Sequence, residues 1–282
     1  MISCKAPCKV NVSLRVLGRR EDGFHEVDTV MVPLELCDVL EFSPASSLGM
    51  SCDAPGVPVD ESNLVMKAAR LMERELGRPM PWHIHLVKKV PHGAGLGGGS
   101  SDAACVLATL NELEQGCLSP ERLVELGGEI GSDIGFFIYG AACRCTGRGE
   151  KVVPLPEWRE WQPRVVLLKP SFGVSTPDAY RRWAGSRELE GIPYGERKVD
   201  GHVLVNDLER PVFEKHLFLA EVKRWLLERP GVRGAMMSGS GSTMFAVVED
   251  EEAARALMEA AARELDPTLW MWSGRVMQNG VR

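Results

Sequence analysis

The sequence predicts an α+β fold in two domains, and three observations carry that prediction. The chain has 282 residues, about twice the length of a common single domain. Its first half opens on two alternating segments joined by a short charged turn, and its second half alternates strand and helix. Hydrophobic residues make up 44% and charged residues 26%, the make-up of an ordinary globular protein, which sets aside disorder, collagen and coiled coil. Lys and Arg number 33 against 39 Asp and Glu, so no basic excess points to nucleic acid. No run approaches the 18 apolar residues of a membrane span, and the start MISCKAPCKVNVSL lacks a secretory signal. A cytoplasmic protein without membrane contact is expected.

The elements follow in order. Residues 8–17 (CKVNVSLRVL) alternate with the period of a strand, and 24–36 (FHEVDTVMVPLEL) do so again after the Asp22-Gly23 turn. Segments 38–43 and 48–53 read as further short strands. LVMKAARLMEREL carries apolar residues at helical spacing between Asn63 and Gly77. WHIHLVKKV (82–90) is a strand that Pro91 should end, because proline has no amide hydrogen for the ladder. From Asp102 the stretch DAACVLATLNEL predicts a helix capped by Ser100, Ser101 or Asp102. A helix from Ser119-Pro120 to about Ile130, a short helical turn and two strands complete a first domain at 1–155. The proline-rich stretch 154–163 leads to a second, 164–282. It reads as strand RVVLLKP, helix TPDAYRRWA, a polar loop over 185–201, helices near 203–209 and 211–229, a strand, an SGSGS loop, strand TMFAVVED, helix EEAARALMEAAARE and a last strand TLWMWSGRV.

Eight cysteines occur, without a C-x-x-C pair or a Cys/His cluster of zinc spacing, so reduced thiols and no protein metal ligands are expected. Cys143 and Cys145 share one face of a strand, where packing is their expected task.

Glycine is the informative residue. Of 29 glycines, five fall within GAGLGGG (93–99), between a strand and a helix. Gly93, Gly95 and Gly98 satisfy G-x-G-x-x-G, but Pro91 and His92 intervene after the strand and a hairpin precedes it, unlike a dinucleotide fold. No Lys-Ser or Lys-Thr follows the last glycine, so it is not a P-loop. What remains is a run of amides leading into a helix N-terminus with Ser100 and Ser101, a cradle for a triphosphate.

PHGAGLGGGSSDAA (91–104) resembles the phosphate-binding motif of the GHMP kinases. Further segments agree in order: APCKVNVSLRVLGRREDGFHEV, EIGSDIGFF, PSFGVSTPDAY, VNDLE and SGSGSTMFAV. The resemblance implies an N-terminal domain like ribosomal S5 domain 2, a ferredoxin-like C-terminal domain and an active site between them. It implies an ATP-dependent small-molecule kinase using Mg2+, and the extended loop resembles the branch whose acceptor is a cytidine diphosphate derivative in isoprenoid precursor synthesis. The alternatives are a kinase of homoserine or a sugar and a non-catalytic ATP-binding protein of the same fold. A monomer and a homodimer are equally compatible.

By the same resemblance Lys9 and Asp133 are catalytic. Read alone, Lys9 is as well an exposed strand lysine and Asp133 a helix cap. ATP is implied to lie along Pro91, His92, Gly93, Ala94, Gly95, Leu96, Gly97, Gly98, Gly99, Ser100 and Ser101, with Asn63 and Lys88 at the adenine side; Asn63 could otherwise cap a helix and Lys88 face solvent. The acceptor is implied to meet Asn11, Phe24, His25, Thr176 and Tyr180. Phe24 stands where the family usually has tyrosine and Gly135 where it has proline. The SGSGS loop (238–242) is expected to shape the site wall or to be a plain connecting turn.

Overall fold

The structure, a computed structural model, describes residues 1–116 and 118–278; Cys117 and the last four residues of the range 164–282 lie outside it. Two long strands, β1 (Ile2–Arg19) and β2 (His25–Pro44), pair antiparallel from Ile2↔Phe42 to Arg19↔His25. The register shifts between Pro7 and Lys9 and again between Asn11 and Ser13. Such bulges bend a strand and re-aim its side chains, and here they bracket Lys9 and Asn11. The segments 24–36 and 38–43 are thus one strand. Around them β3 (Gly49–Cys52), β4 (Trp82–Val87), β5 (Cys143–Gly147), β6 (Lys151–Pro154), β8 (Arg197–Val199) and β9 (His202–Asn206) complete an eight-stranded sheet in the order β3-β4-β2-β1-β9-β8, with β5 on β2 and β6 on β5.

The loop expected over 185–201 contains the strand β8, the helix expected over 211–229 is broken at His216, and three further differences from the sequence reading have a visible reason. β4 stops at Val87, not at Pro91, because the amides of Lys88, Lys89 and Val90 turn to carboxylates: Lys88 N donates to Asp53 Oδ1 at 2.8 Å, and Lys89 N and Val90 N to Asp38 Oδ1 at 2.6 and 2.8 Å. The helix expected from Asp102 begins inside the glycine loop, as α2 (Gly98–Leu113), with Gly97 rather than a serine or aspartate side chain at its cap. Residues 203–208 are not a helix, and helical backbone begins only at Glu209. Val203 and Val205 favour extended backbone, and β9 runs parallel beside β1 (Ser13↔Val205, Leu14↔Asn206).

The helices α1 (Leu64–Leu76), α2 and α3 (Pro120–Ile130) cover one face of this sheet over a core that includes Leu40, Phe42, Ala69, Met72 and Leu107. Asn63 and Ser119 cap α1 and α3 by accepting from Val65 N and Arg122 N. A short α4 (Ile134–Tyr139) follows.

The second sheet holds β7 (Arg164–Lys169), β10 (Val232–Met237), β11 (Met244–Val248) and β12 (Trp270–Arg275), all antiparallel in the order β10-β11-β7-β12. Strand β7, then α5 (Thr176–Trp183), α6 (Glu209–Lys215) and α7 (Leu217–Leu227), then β10, β11, α8 (Glu251–Glu264) and β12 give the ferredoxin-like β-α-β-β-α-β succession. The two sheets share a core in which Val10, Val12, Val32 and Leu34 meet Val165, Leu167, Phe245 and Val247. Since side chains alternate along a strand, placing Cys8, Val10 and Val12 in that core turns Lys9 and Asn11 to the other face. Cys143 and Cys145 pack with Met31 and Phe136, and the seven cysteines among the described residues are free thiols.

Candidate active site

The glycine loop runs from Pro91 into α2 with positive φ at Gly93, Gly95 and Gly97. Alternation of left-handed with ordinary backbone lets neighbouring amides converge on one point, the geometry of an anion nest. Close approach matters as much: a Cβ at Gly95 would come within 2.3 Å of the Ser238 carbonyl, and one at Gly97 within 2.9 Å of the Phe137 ring and 3.1 Å of Lys9 Cε. Ala94 and Leu96 are buried, so they can offer a phosphate only their backbone. Leu96 O accepts from Lys9 N at 2.9 Å, tying the loop to β1.

Lys9 is not an exposed strand lysine: its side chain is 5% exposed. Its Nζ donates to Asn11 Oδ1 at 2.6 Å and lies 3.4 Å from Asp133 Oδ2. Asn11 Nδ2 in turn donates to Thr29 Oγ1, which donates to Ser13 O. The cap reading of Asp133 fails, since the residue precedes α4 in helical backbone (φ −82°, ψ −8°) without a side-chain cap bond. Its carboxylate is left to the cleft, and Phe136, buried against Met31, Cys143 and Cys145 with Phe137 edge-on at 4.8 Å, anchors the helix behind it.

Two cavities meet at the loop. One is lined by Val57, Asn63, Leu64, Lys88 and residues 91–100; the other by Lys9, Asn11, Asp133, Arg148, Thr176 and Tyr180. Gly95 and Gly97 line both. A phosphate cradled from the first side thus faces the Lys9–Asp133 pair on the second.

In the first cavity Asn63 is the cap of α1, its Oδ1 taken by Val65 N and its Nδ2 by Pro58 O. Lys88 does not face solvent: its side chain is 10% exposed, and its ammonium pairs with Asp38 and Asp102. Two carboxylates around one ammonium leave an excess negative charge, and burial, with Asp38 adding to it, pushes Asp102 up to about 7. Asp102 Oδ1 and Ser101 Oγ are buried without a hydrogen-bond partner.

In the second cavity Thr176 Oγ1 and Ser240 Oγ are 2.7 Å apart. The rings of His25 and Tyr180 lie 5.3 Å apart and that of Trp183 stands edge-on to His25 at 6.2 Å. Burial, then the charge of Arg19, lowers the His25 pKa below its ordinary value. Burial, then the charge of Asp133, raises that of Tyr180. Phe24 and His25 do not line the second cavity itself; Phe24 is 53% exposed with the Arg148 guanidinium 4.9 Å above its ring. The sequence reading missed Arg148, Gly149 and Thr29, although Arg148 sits in the turn TGRGE between β5 and β6, where two glycines flag a tight approach.

A fold of this kind with a glycine-rich loop beside a buried lysine paired with an aspartate defines a small-molecule kinase. The family model "GHMP kinases N terminal domain" matches residues 63–141 and "GHMP kinases C terminal" residues 199–266. The chain is 39% identical over 277 residues, covering 96% of its own length and 95% of the relative's, to the 4-diphosphocytidyl-2-C-methyl-D-erythritol kinase of Methylacidiphilum infernorum. It is 40% identical to the enzyme of the same name from Shouchella clausii, with 88% and 86% covered. Among solved structures, a 4-(cytidine 5'-diphospho)-2C-methyl-D-erythritol kinase superposes with TM-score 0.77 at 35% identity, covering 98% of this chain and 99% of that one. A homoserine kinase from Cytophaga hutchinsonii, at 20% identity and TM-score 0.71 over 100% and 96% of the two chains, shares the fold. The chain belongs to the GHMP kinases, and within them to the group formed by these 4-diphosphocytidyl-2-C-methyl-D-erythritol kinases.

Proposed function

We propose that the chain transfers the γ-phosphoryl group of ATP to the 2-hydroxyl of 4-diphosphocytidyl-2-C-methyl-D-erythritol. The observation that carries this reading is the sharing of Gly95 and Gly97 by two cavities, one leading from the adenine side and the other holding Lys9 and Asp133. The acceptor is supported by the names of the curated relatives.

Phosphoryl transfer asks for alignment and for charge stabilisation more than for covalent chemistry. The loop amides and the N-terminus of α2 hold the phosphates. Asp133 accepts the hydrogen of the attacking hydroxyl and orients its oxygen, while Lys9, fixed by Asn11, balances the charge that gathers between carboxylate and hydroxyl. Arg148 at the cavity mouth is placed to meet the acceptor's diphosphate. Phe24, His25 and Tyr180 offer aromatic faces to the cytosine, and loss of the usual tyrosine hydroxyl at Phe24 leaves the stacking face in place.

ATP brings Mg2+, whose task is to neutralise phosphate charge during transfer. Among the described residues no group of three or more His, Cys, Asp or Glu is placed to share a metal ion. The ion would rest mainly on phosphate oxygens and water. This fits a hard cation, which takes oxygen ligands and keeps several waters.

The test is ADP release by the purified protein with ATP and Mg2+, with and without the cytidine acceptor. Acceptor-dependent release supports the reading; ATP binding without release in its presence contradicts it.

A further inference from the structure

We propose that the segment Asn206–Glu209 is a positioning element for phosphoryl transfer, acting through the SGSGS loop on Lys9, Asn11 and the phosphate loop. The inference rests on the kinase reading above.

Asn206 is 2% exposed, and its amide is committed wholly to backbone. Its Nδ2 donates to Met237 O and to Gly239 O, each at 2.8 Å, and its Oδ1 accepts from Leu208 N at 2.9 Å. Glu209, fully buried, accepts Met237 N at 2.9 Å with one oxygen and the Lys223 ammonium with the other. Asp207 faces the opposite way and clamps β1: its N donates to Leu14 O at 2.9 Å, and its carboxylate accepts from Val16 N at 2.9 Å and Arg15 Nη1 at 3.1 Å. Within four residues the chain therefore grips both the strand that carries Lys9 and the loop that faces it.

That loop touches the reacting centre. Ser238 Oγ donates to Gly95 O at 3.0 Å and Thr243 N to Ala94 O at 3.2 Å, so the loop sets the phosphate cradle. A Cβ on Gly239 would lie 3.2 Å from Asn11 Oδ1 and 3.5 Å from Lys9 Nζ, so the carbonyl that Asn206 holds belongs to the wall behind the catalytic pair. A buried ion pair is a poor source of net stability, because desolvation offsets its attraction. Its best use at Glu209 is to fix one oxygen on Met237 N, where the loop begins. Misplacement of reacting groups by about 1 Å costs on the order of a hundredfold in rate.

The test uses the full chain in three forms: wild type, Asn206→Ala, and the double variant Glu209→Met with Lys223→Met, which replaces the ion pair by an apolar pair of similar volume. Turnover of the cytidine acceptor, the dissociation constant of ATP and the melting curve are measured for each. Positioning predicts that kcat falls about 10- to 100-fold in both variants while ATP affinity changes less than about threefold, and that the double variant loses turnover despite a cooperative, wild-type-like melt. A merely structural pair predicts that the apolar replacement restores kcat. Turnover per folded molecule within twofold of wild type in the double variant overturns the proposal, and decides the matter even where Asn206→Ala does not fold. An inactive wild type would instead overturn the kinase reading itself.

Discussion

Asp133 stands directly before α4 yet caps nothing: its carboxylate lies 3.4 Å from the Lys9 ammonium, which is 5% exposed and held at 2.6 Å by Asn11. A buried lysine is stable only with partners, and an aspartate at a helix start normally spends its side chain on the first turn. Both residues depart from their ordinary use to face one cavity. Lys9→Met and Asp133→Asn should lower kcat by about 10²- to 10⁴-fold while the ATP dissociation constant stays within about threefold. Isothermal titration beside steady-state kinetics checks this; loss of ATP binding would contradict the assigned roles.

Gly135 is where the fold has made room. A Cβ there would meet Val124 Cγ1 at 2.9 Å and Val152 Cγ2 at 3.1 Å, so glycine at 135 and valine at 124 are complementary. Gly135→Ala should destabilise the protein by about 1–3 kcal/mol through overpacking, and Val124→Ala in the same chain should recover much of that. Equilibrium urea unfolding gives the two values; an unchanged midpoint for Gly135→Ala would show that α4 is free to shift.

His25 titrates below the ordinary histidine value because of burial and the charge of Arg19, and so it is neutral at pH 7. Acceptor KM should be flat from pH 7 to 8 and should rise only as the pH falls through that lowered value. Arg19→Gln removes a cation that disfavours protonation, so the rise should begin at a higher pH. A KM profile that Arg19→Gln leaves unmoved would separate His25 from acceptor recognition.

Asp102 carries the opposite sign from most aspartates. Its folded pKa, about 7, exceeds the unfolded value near 4, so between these values the folded state holds more protons and stability declines as pH rises. From pH 6 to pH 8 the contribution of Asp102 to stability should fall by about 1 kcal/mol, and Asp102→Asn should remove that part of the pH dependence. Melts at the two pH values read the difference; equal slopes for wild type and variant would place the titration elsewhere.

Periodicity in the sequence located most strands and helices because long alternating or amphipathic stretches decide their own conformation. It failed where a distant group decides instead. Nothing local in KKV (88–90) announces that Asp38, fifty residues earlier, takes two of its amides. The strand at His202–Asn206 has two valines that lean to extended backbone, but its place is set by pairing with β1 and β8, which a window of residues does not show. At the site, the glycine loop and the Lys9–Asp133 pair were legible through the family motif. Arg148, Thr29 and the Lys88–Asp38–Asp102 group were not, since each becomes distinctive only when separate segments meet.

The reaction is tested most directly by ADP release with ATP and Mg2+ when the protein is offered 4-diphosphocytidyl-2-C-methyl-D-erythritol, homoserine, mevalonate and galactose in parallel. Turnover of the cytidine compound alone is the expected result. Turnover of homoserine, mevalonate or galactose in its place would keep the phosphate cradle and contradict the assignment of the acceptor.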